Sequence, residues 1–144
     1  MASRQVDLSI ESRLENVASV GETVNRLCRE AGFSEGDAYN VELAVVEAVS
    51  NCVRHAYRGE QGRRVDVHLR LEGDRLEVRI LDDGLPVPEA NRRPKPIEFD
   101  PQDPLSIAEG GRGTFLIHSL MDRVEYGSEG GRNLLLLAKT IRRS

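Results

Sequence analysis

The placement of proline is the strongest constraint that this sequence puts on its own fold. All six prolines of the 144-residue chain lie between Pro86 and Pro104. Proline lacks a backbone N–H donor and interrupts helices. We therefore expect a long loop from about 85 to 109, with regular structure on either side of it. A loop of this length inside a compact domain is usually a lid, a binding loop or a disordered segment.

Alternation of apolar and polar residues predicts strands before the loop. The pattern favours a first strand from Val6 to Ile10, then strands from Val65 to Leu71 and from Leu76 to Ile80. Gly73 and Asp74 separate the last two strands, which is typical of a β-hairpin.

Two helices are predicted between the first strand and the hairpin. Apolar residues from Leu14 to Ala31 recur at helical spacing, and Gly32 follows as a C-cap. Ser34 and Asp37 resemble a capping pair for a second helix, from about Glu35 to about His55.

After the loop, "TFLIHSLM" predicts a short helix, and "RVEYGSEGGRNLLLLAKTI" predicts strand, turn and strand. The run from Leu134 to Ala138 is continuously apolar, as in a central strand. The elements together predict a single α+β domain over residues 1–144. This domain is a two-layer sandwich, with a mixed, mostly antiparallel sheet and helices on one face.

Composition excludes several classes of function. The formal net charge is −4 and no long basic block occurs, so direct nucleic-acid binding is not expected. No apolar run approaches the roughly 20 residues of a membrane span, and no signal-peptide pattern is present. We therefore expect a cytoplasmic protein without a membrane partner. Cys28 and Cys52 fall on apolar helix faces, where small buried thiols are the expected role.

The helix segment "VEAVSNCVRHAY" carries Glu47, Asn51 and His55 at intervals of four, on one helical face. Such a face is most often simply solvated. Alternatively, the Asn51 oxygen is suited to bind Mg²⁺, and Glu47, one turn away, is suited to accept a proton from an attacking hydroxyl.

Two glycine-containing segments have similar double interpretations. The segment "ILDDGLP" is either an ordinary Asp/Gly turn or part of a binding site. In the second interpretation, Asp82 accepts a hydrogen bond from an exocyclic amine such as that of adenine, and Gly84 lets the base lie close to the backbone. In "EGGRGTFLIHSLMD" a flexible hinge for the loop competes with phosphate binding at a helix N-terminus, and both could hold together.

The order of these segments resembles the GHKL-type ATP-binding fold, which is also called the histidine kinase-like ATPase fold. Within it, "EAVSNCVRHAY", "LDDGLP" and "EGGRGTFLIHSLMDRVEY" are most similar to anti-sigma factor serine/threonine-protein kinases of the RsbW and SpoIIAB type. The resemblance covers essentially the whole chain in order.

The resemblance implies a role for each candidate residue. Glu47 matches the family's catalytic base, Asn51 its Mg²⁺ ligand and Asp82 its adenine-binding aspartate, with Gly84 beside it. Gly111 and Gly113 match the glycines that hold the triphosphate. The cofactor-binding segment also includes Arg112 and Thr114, and Arg112 either reaches a phosphate oxygen or is solvated. The cofactors implied are ATP and Mg²⁺.

The leading functional hypothesis from this resemblance is an anti-sigma factor serine kinase that acts in partner switching. It would phosphorylate a serine on a STAS-type antagonist, sequester a sigma factor or other regulator, and form a homodimer. A second hypothesis is a nucleotide-dependent binding module with little or no phosphotransfer, against which the presence of Glu47 argues. A third, the ATP-binding half of a histidine kinase, is disfavoured because no helix with a phospho-acceptor histidine precedes Val6.

Overall fold

Five strands and three helices make up the part of the chain that is described by the computed structural model, residues 3–88, 92 and 109–140, with side chains in the last segment from 115 onward. In chain order they are β1 (Arg4–Glu11), α1 (Val17–Glu30), α2 (Glu35–Asn51), β2 (Arg64–Glu72), β3 (Arg75–Asp82), α3 (Glu109–Leu120), β4 (Arg123–Glu129) and β5 (Arg132–Thr140). A 3-10 turn at Leu14–Asn16 leads into α1, and a π-helical turn at Cys52–Ala56 continues α2. No helix in these described ranges is long and apolar enough to cross a membrane.

The strands form one sheet in the order β1-β2-β3-β5-β4. The predicted hairpin is confirmed, with Val67 of β2 opposite Ile80 of β3. The run Leu134–Ala138 lies in β5, between β3 and β4, so its predicted interior position is also confirmed. The sheet differs from the mixed one that was predicted in one respect: all four pairings between the described strands are antiparallel.

The core lies between one face of this sheet and the helices. Strand residues alternate between the two faces, so each strand contributes every second side chain to the core. Val24 of α1, Val45 of α2 and Ile117 of α3 are buried in the same cluster as Val78 and Leu137 of the sheet. This arrangement confirms the predicted two-layer α+β architecture.

Both predicted helix caps are present. Gly32 ends α1 with a φ of 98°, and the N–H of Phe33 donates to the carbonyl of Cys28 at 2.9 Å. This 6→1 bond is the mark of a Schellman motif, which requires a left-handed residue where Gly32 stands. At the start of α2 the Ser34 Oγ accepts a hydrogen bond from the N–H of Asp37 at 3.1 Å.

Two element boundaries differ from those predicted. The second helix is α-helical only to Asn51 and continues as the π-helical turn, which apolar periodicity does not distinguish from an α-helix. The last helix begins at Glu109 and not near Thr114, so its glycines lie inside the first turns. Glycine disfavours helix by only about 1 kcal/mol relative to alanine. Packing of α3 against α2 is sufficient to offset such a cost.

Candidate functional site

The end of α2 and the turn after β3 are joined by backbone contacts. The N–H of Leu85 donates to the carbonyl of Ala56 at 2.8 Å. The buried Tyr57 hydroxyl accepts a hydrogen bond from the N–H of Asp83 at 2.7 Å and donates to the carbonyl of Arg64 at 2.6 Å. The turn at residues 82–85 is therefore fixed against the C-terminal end of the helix.

The π-helical turn leaves the carbonyl of Ala56 available for the contact with Leu85. Within it the N–H of Tyr57 donates to the carbonyl of Cys52, five residues back, at 2.9 Å. The last carbonyls of a helix lack partners inside the helix, so that of Ala56 is available to Leu85. Single π-helical turns occur frequently at functional sites because the extra residue redirects the side chains that follow.

Asp82 is the buried carboxylate of this site, with 7% of its surface exposed at the end of β3. Its Oδ1 accepts hydrogen bonds from the N–H of Gly84 at 2.9 Å and from Asn133 Nδ2 at 2.8 Å. Among the described residues, its Oδ2 accepts only from the Cys52 thiol, at 3.3 Å. An ionised carboxylate oxygen accepts more than one hydrogen bond. Oδ2 thus keeps the capacity to accept a donor from a ligand, which fits the predicted role of Asp82.

Cys52, at the start of the π-helical turn, contacts Asp82 through its side chain. Both cysteines are buried free thiols, as predicted. Burial and the neighbouring Asp82 carboxylate raise the pKa of the Cys52 thiol, which therefore stays protonated and can donate. The sequence did not predict this contact with Asp82.

Gly84 lies directly against the end of the helix. A β-carbon at this position would be 2.4 Å from the carbonyl oxygen of Ala56 and 2.8 Å from its β-carbon. The sequence assigns Gly84 to the close approach of a base. The structure shows a further reason for glycine here, which is the close approach of a neighbouring backbone.

Glu47 and Asn51 are half-buried on α2, one helical turn apart. Neither side chain forms a hydrogen bond or ion pair with any other residue that the structure describes. Asn51 immediately precedes Cys52, whose thiol contacts Asp82. An uncommitted carboxamide oxygen fits a Mg²⁺ ion, which commonly takes one or two protein oxygens and completes its shell with phosphate and water.

The predicted phosphate-binding residues Gly111, Arg112, Gly113 and Thr114 lie in the first turns of α3. The first four N–H groups of a helix, counted from its N-cap, have no acceptor within it, and that of Gly111 is among them. The side chains of these residues lie outside the described part of the chain, as does most of the predicted lid at 85–109, of which only 85–88 and 92 are described.

Asn133 is a site residue that sequence reasoning missed. Its Nδ2 donates to Asp82 Oδ1 and also to the carbonyl of Gly84 at 2.9 Å. It lies 51 residues after Asp82 in the chain, within an apolar strand. Its only sequence signal is that it is a polar residue at the start of the leucine run.

This chain is similar to a known family and to named relatives over most of its length. Residues 10–139 match the model of the histidine kinase-like ATPase domain family. The serine-protein kinase RsbW of Bacillus cereus is 30% identical over 133 residues, which cover 92% of this chain and 82% of that protein. The protein of the same name from Bacillus anthracis is 29% identical over the same shares.

Solved structures with low sequence identity share the fold. The RsbU and RsbW domains of a Mycobacterium tuberculosis protein match with a TM-score of 0.69 and 15% identity, over 98% of this chain and 33% of that chain. The catalytic domain of the histidine kinase ThkA matches with a TM-score of 0.56 and 10% identity, over the full length of both. The family match and the 30% identical relative show that this chain belongs to the histidine kinase-like ATPase family, in its RsbW-type serine-protein kinase branch.

Proposed function

We propose that this protein is an ATP-dependent serine kinase that phosphorylates a STAS-type antagonist protein and sequesters a sigma factor or other regulator in a partner-switching system. The observation that carries the proposal is the junction between the end of α2 and the turn at 82–85. The Cys52 thiol contacts Asp82 at 3.3 Å, and Ala56 holds Leu85. The proposed metal ligand Asn51 immediately precedes Cys52 in the chain, which supports one site shared with the proposed base-binding carboxylate.

Each residue has one role in the proposed site. Asp82 Oδ2 accepts a hydrogen bond from the amino group of adenine. The free N–H groups at the start of α3 face the phosphates, with Gly111, Gly113 and Thr114 in that segment and Arg112 reaching a phosphate oxygen. Asn51 holds Mg²⁺, which when bound offsets negative charge on the phosphates.

The proposed reaction moves the γ-phosphoryl group of ATP to a serine of the antagonist. The serine oxygen bonds to the γ-phosphorus, and the bond from this phosphorus to the β–γ bridging oxygen breaks. Glu47 takes the serine proton, and the products are phosphoserine and ADP. Because Glu47 makes no hydrogen bond to other described residues, its carboxylate is free to accept that proton.

Transfer of labelled phosphate tests the function. The protein is incubated with ATP labelled at the γ-phosphate and with candidate STAS-type proteins, and the product is treated with acid. The proposal predicts acid-stable label, which is lost when the acceptor serine is replaced by alanine. Acid-labile label would indicate a phosphohistidine instead. ATP binding without transfer to any candidate would favour the nucleotide-dependent binding module.

We also infer a cytoplasmic homodimer, as the RsbW-type resemblance implies. Light scattering of the purified chain should give twice the mass of 16.0 kDa. A monomeric mass at micromolar concentration, with kinase activity intact, would show that the protein is not a dimer but would not contradict the proposed reaction.

A further inference from the structure

The first two residues of β5 hold the turn at 82–84 from opposite faces of the sheet. Arg132 and Asn133 are consecutive, and consecutive strand residues point to opposite faces. The Arg132 guanidinium donates from Nε to Asp83 Oδ1 at 3.0 Å. The Asn133 amide donates to Asp82 Oδ1 at 2.8 Å. Two neighbouring residues of β5 therefore donate hydrogen bonds to two neighbouring aspartates.

On the core side, the amide of Asn133 makes the two Asp82 oxygens differ in their hydrogen bonding. Its Nδ2 donates to Asp82 Oδ1 and to the carbonyl of Gly84, which uses both hydrogens of the amide group. Oδ1 also accepts from the N–H of Gly84 and so has two donors. In the part of the chain that the structure describes, the donor to Oδ2 is the Cys52 thiol, which is a weak one. The oxygen that remains for a ligand is Oδ2.

We propose that Asn133 is a positioning residue for base selection. By occupying Oδ1, it orients the Asp82 carboxylate so that Oδ2 meets the amino group of the base. This inference rests on the proposed ATP site and adds how that site selects its base. A carboxylate that can only accept will reject a purine that lacks the 6-amino donor, because Oδ2 would be desolvated with only the weak Cys52 thiol as its donor among the described residues. Asn133 acts through Asp82 and does not itself touch the nucleotide.

On the opposite face, Arg132 provides a matched control. It contacts the same turn through Asp83, which has 51% of its side chain exposed, and it also donates to the buried Asp66 at 2.7 Å, away from Asp82. Exposed ion pairs contribute little because water screens them and the side chains lose freedom. Arg132→Gln removes the guanidinium that bonds to Asp83 and leaves the three described hydrogen bonds of Asp82 in place.

The test measures the affinities for ATP and for purine riboside triphosphate, which lacks the 6-amino group, by calorimetry. Asn133→Asp keeps the size of the side chain, removes both donors and sets a second carboxylate against Asp82. We expect its ATP affinity to fall about tenfold or more, and its preference for ATP over the analogue to approach one. Asn133→Thr keeps one donor on a residue that favours strands, and should retain part of the preference. Arg132→Gln should retain all of it.

Each outcome decides a separate point. If the parent protein binds both nucleotides equally, the adenine site in the proposed function is wrong. If the parent prefers ATP and Asn133→Asp weakens both nucleotides in proportion, Asn133 has only a structural role and this inference is overturned. Loss of the preference in Arg132→Gln would also overturn it. Thermal unfolding shows whether Asn133→Asp is folded. If Asn133→Asp does not fold, the nucleotide preference is measured with Asn133→Thr instead.

Discussion

The carbonyl oxygen of Ala56 lies 2.4 Å from the point where a β-carbon of Gly84 would stand. The same carbonyl accepts a hydrogen bond from the N–H of Leu85 at 2.8 Å. The helix that carries Glu47 and Asn51 and the turn that carries Asp82 are therefore in direct backbone contact. A change at this contact should affect both stability and nucleotide binding.

Gly84→Ala should destabilise the protein. The added β-carbon meets backbone atoms of Ala56, which cannot rotate away as a flexible side chain could. Overpacking of this kind costs about 1–3 kcal/mol in the free energy of unfolding. Urea denaturation measures this loss, and ATP affinity should fall with it. Gly127→Ala is the control, because a β-carbon there meets nothing within 4 Å. Equal stability of the two variants would contradict the contact.

Tyr57→Phe should loosen the same junction from the other side. The change removes the hydroxyl that joins the N–H of Asp83 to the carbonyl of Arg64 and leaves both groups without this partner. The expected loss is about 1–3 kcal/mol in the free energy of unfolding. Tyr39→Phe is the matched control, since Tyr39 is 56% exposed. If both variants unfold at the same urea concentration as the parent, the hydroxyl bridge is not stabilising.

Asp82→Asn should weaken ATP binding. The two donors at Oδ1 hold the remaining amide oxygen on their side, so the amide presents its NH2 group at the Oδ2 position, where the base requires an acceptor. Loss of such a buried hydrogen bond costs about 1–3 kcal/mol, a factor of roughly 5 to 150 in affinity. Asp83→Asn changes charge equally at the adjacent, exposed position and should bind ATP nearly as the parent does. Calorimetry that finds the reverse order would place the base elsewhere.

Acid should remove the contribution of Asp66. Burial alone would raise the pKa of this carboxyl, but hydrogen bonds from Ser9, Arg132 and Arg64 outweigh it and hold the pKa below 3.8. A lowered pKa in the folded state stabilises the fold above the unfolded value, and this stability is lost as pH falls through the folded value. Asp66→Asn should therefore be less stable than the parent at neutral pH, and the difference should shrink below about pH 3.8. Urea denaturation across pH measures it; a constant difference would contradict the network.

The sequence predicted those parts of the fold that have a local pattern. The alternation in Val65–Leu71 and Leu76–Ile80 predicted the hairpin because each apolar side chain had to face the same core. Ser34 and Gly32 predicted helix ends because capping depends on residues only a few positions apart. The two-layer fold follows from these elements.

The internal contacts of the site could not be predicted in this way. Cys52 meets Asp82 across 30 residues, and Asn133 meets Asp82 across 51. Such contacts depend on sheet register and leave no local pattern. The roles of Glu47 and Asn51 were decided by family resemblance, since helical spacing alone favoured a solvated face.

The central claim is that Glu47 serves as the base in phosphate transfer from ATP to serine. The direct measurement is the rate of labelled-phosphate transfer to the antagonist protein by Glu47→Gln, with ATP binding measured in parallel. We expect binding to be retained and transfer to fall by a factor on the order of 10²–10⁴. The exposed Glu60→Gln is the control for the loss of one negative charge and should transfer at the parent rate. Transfer by Glu47→Gln at the rate of the parent protein would contradict the account.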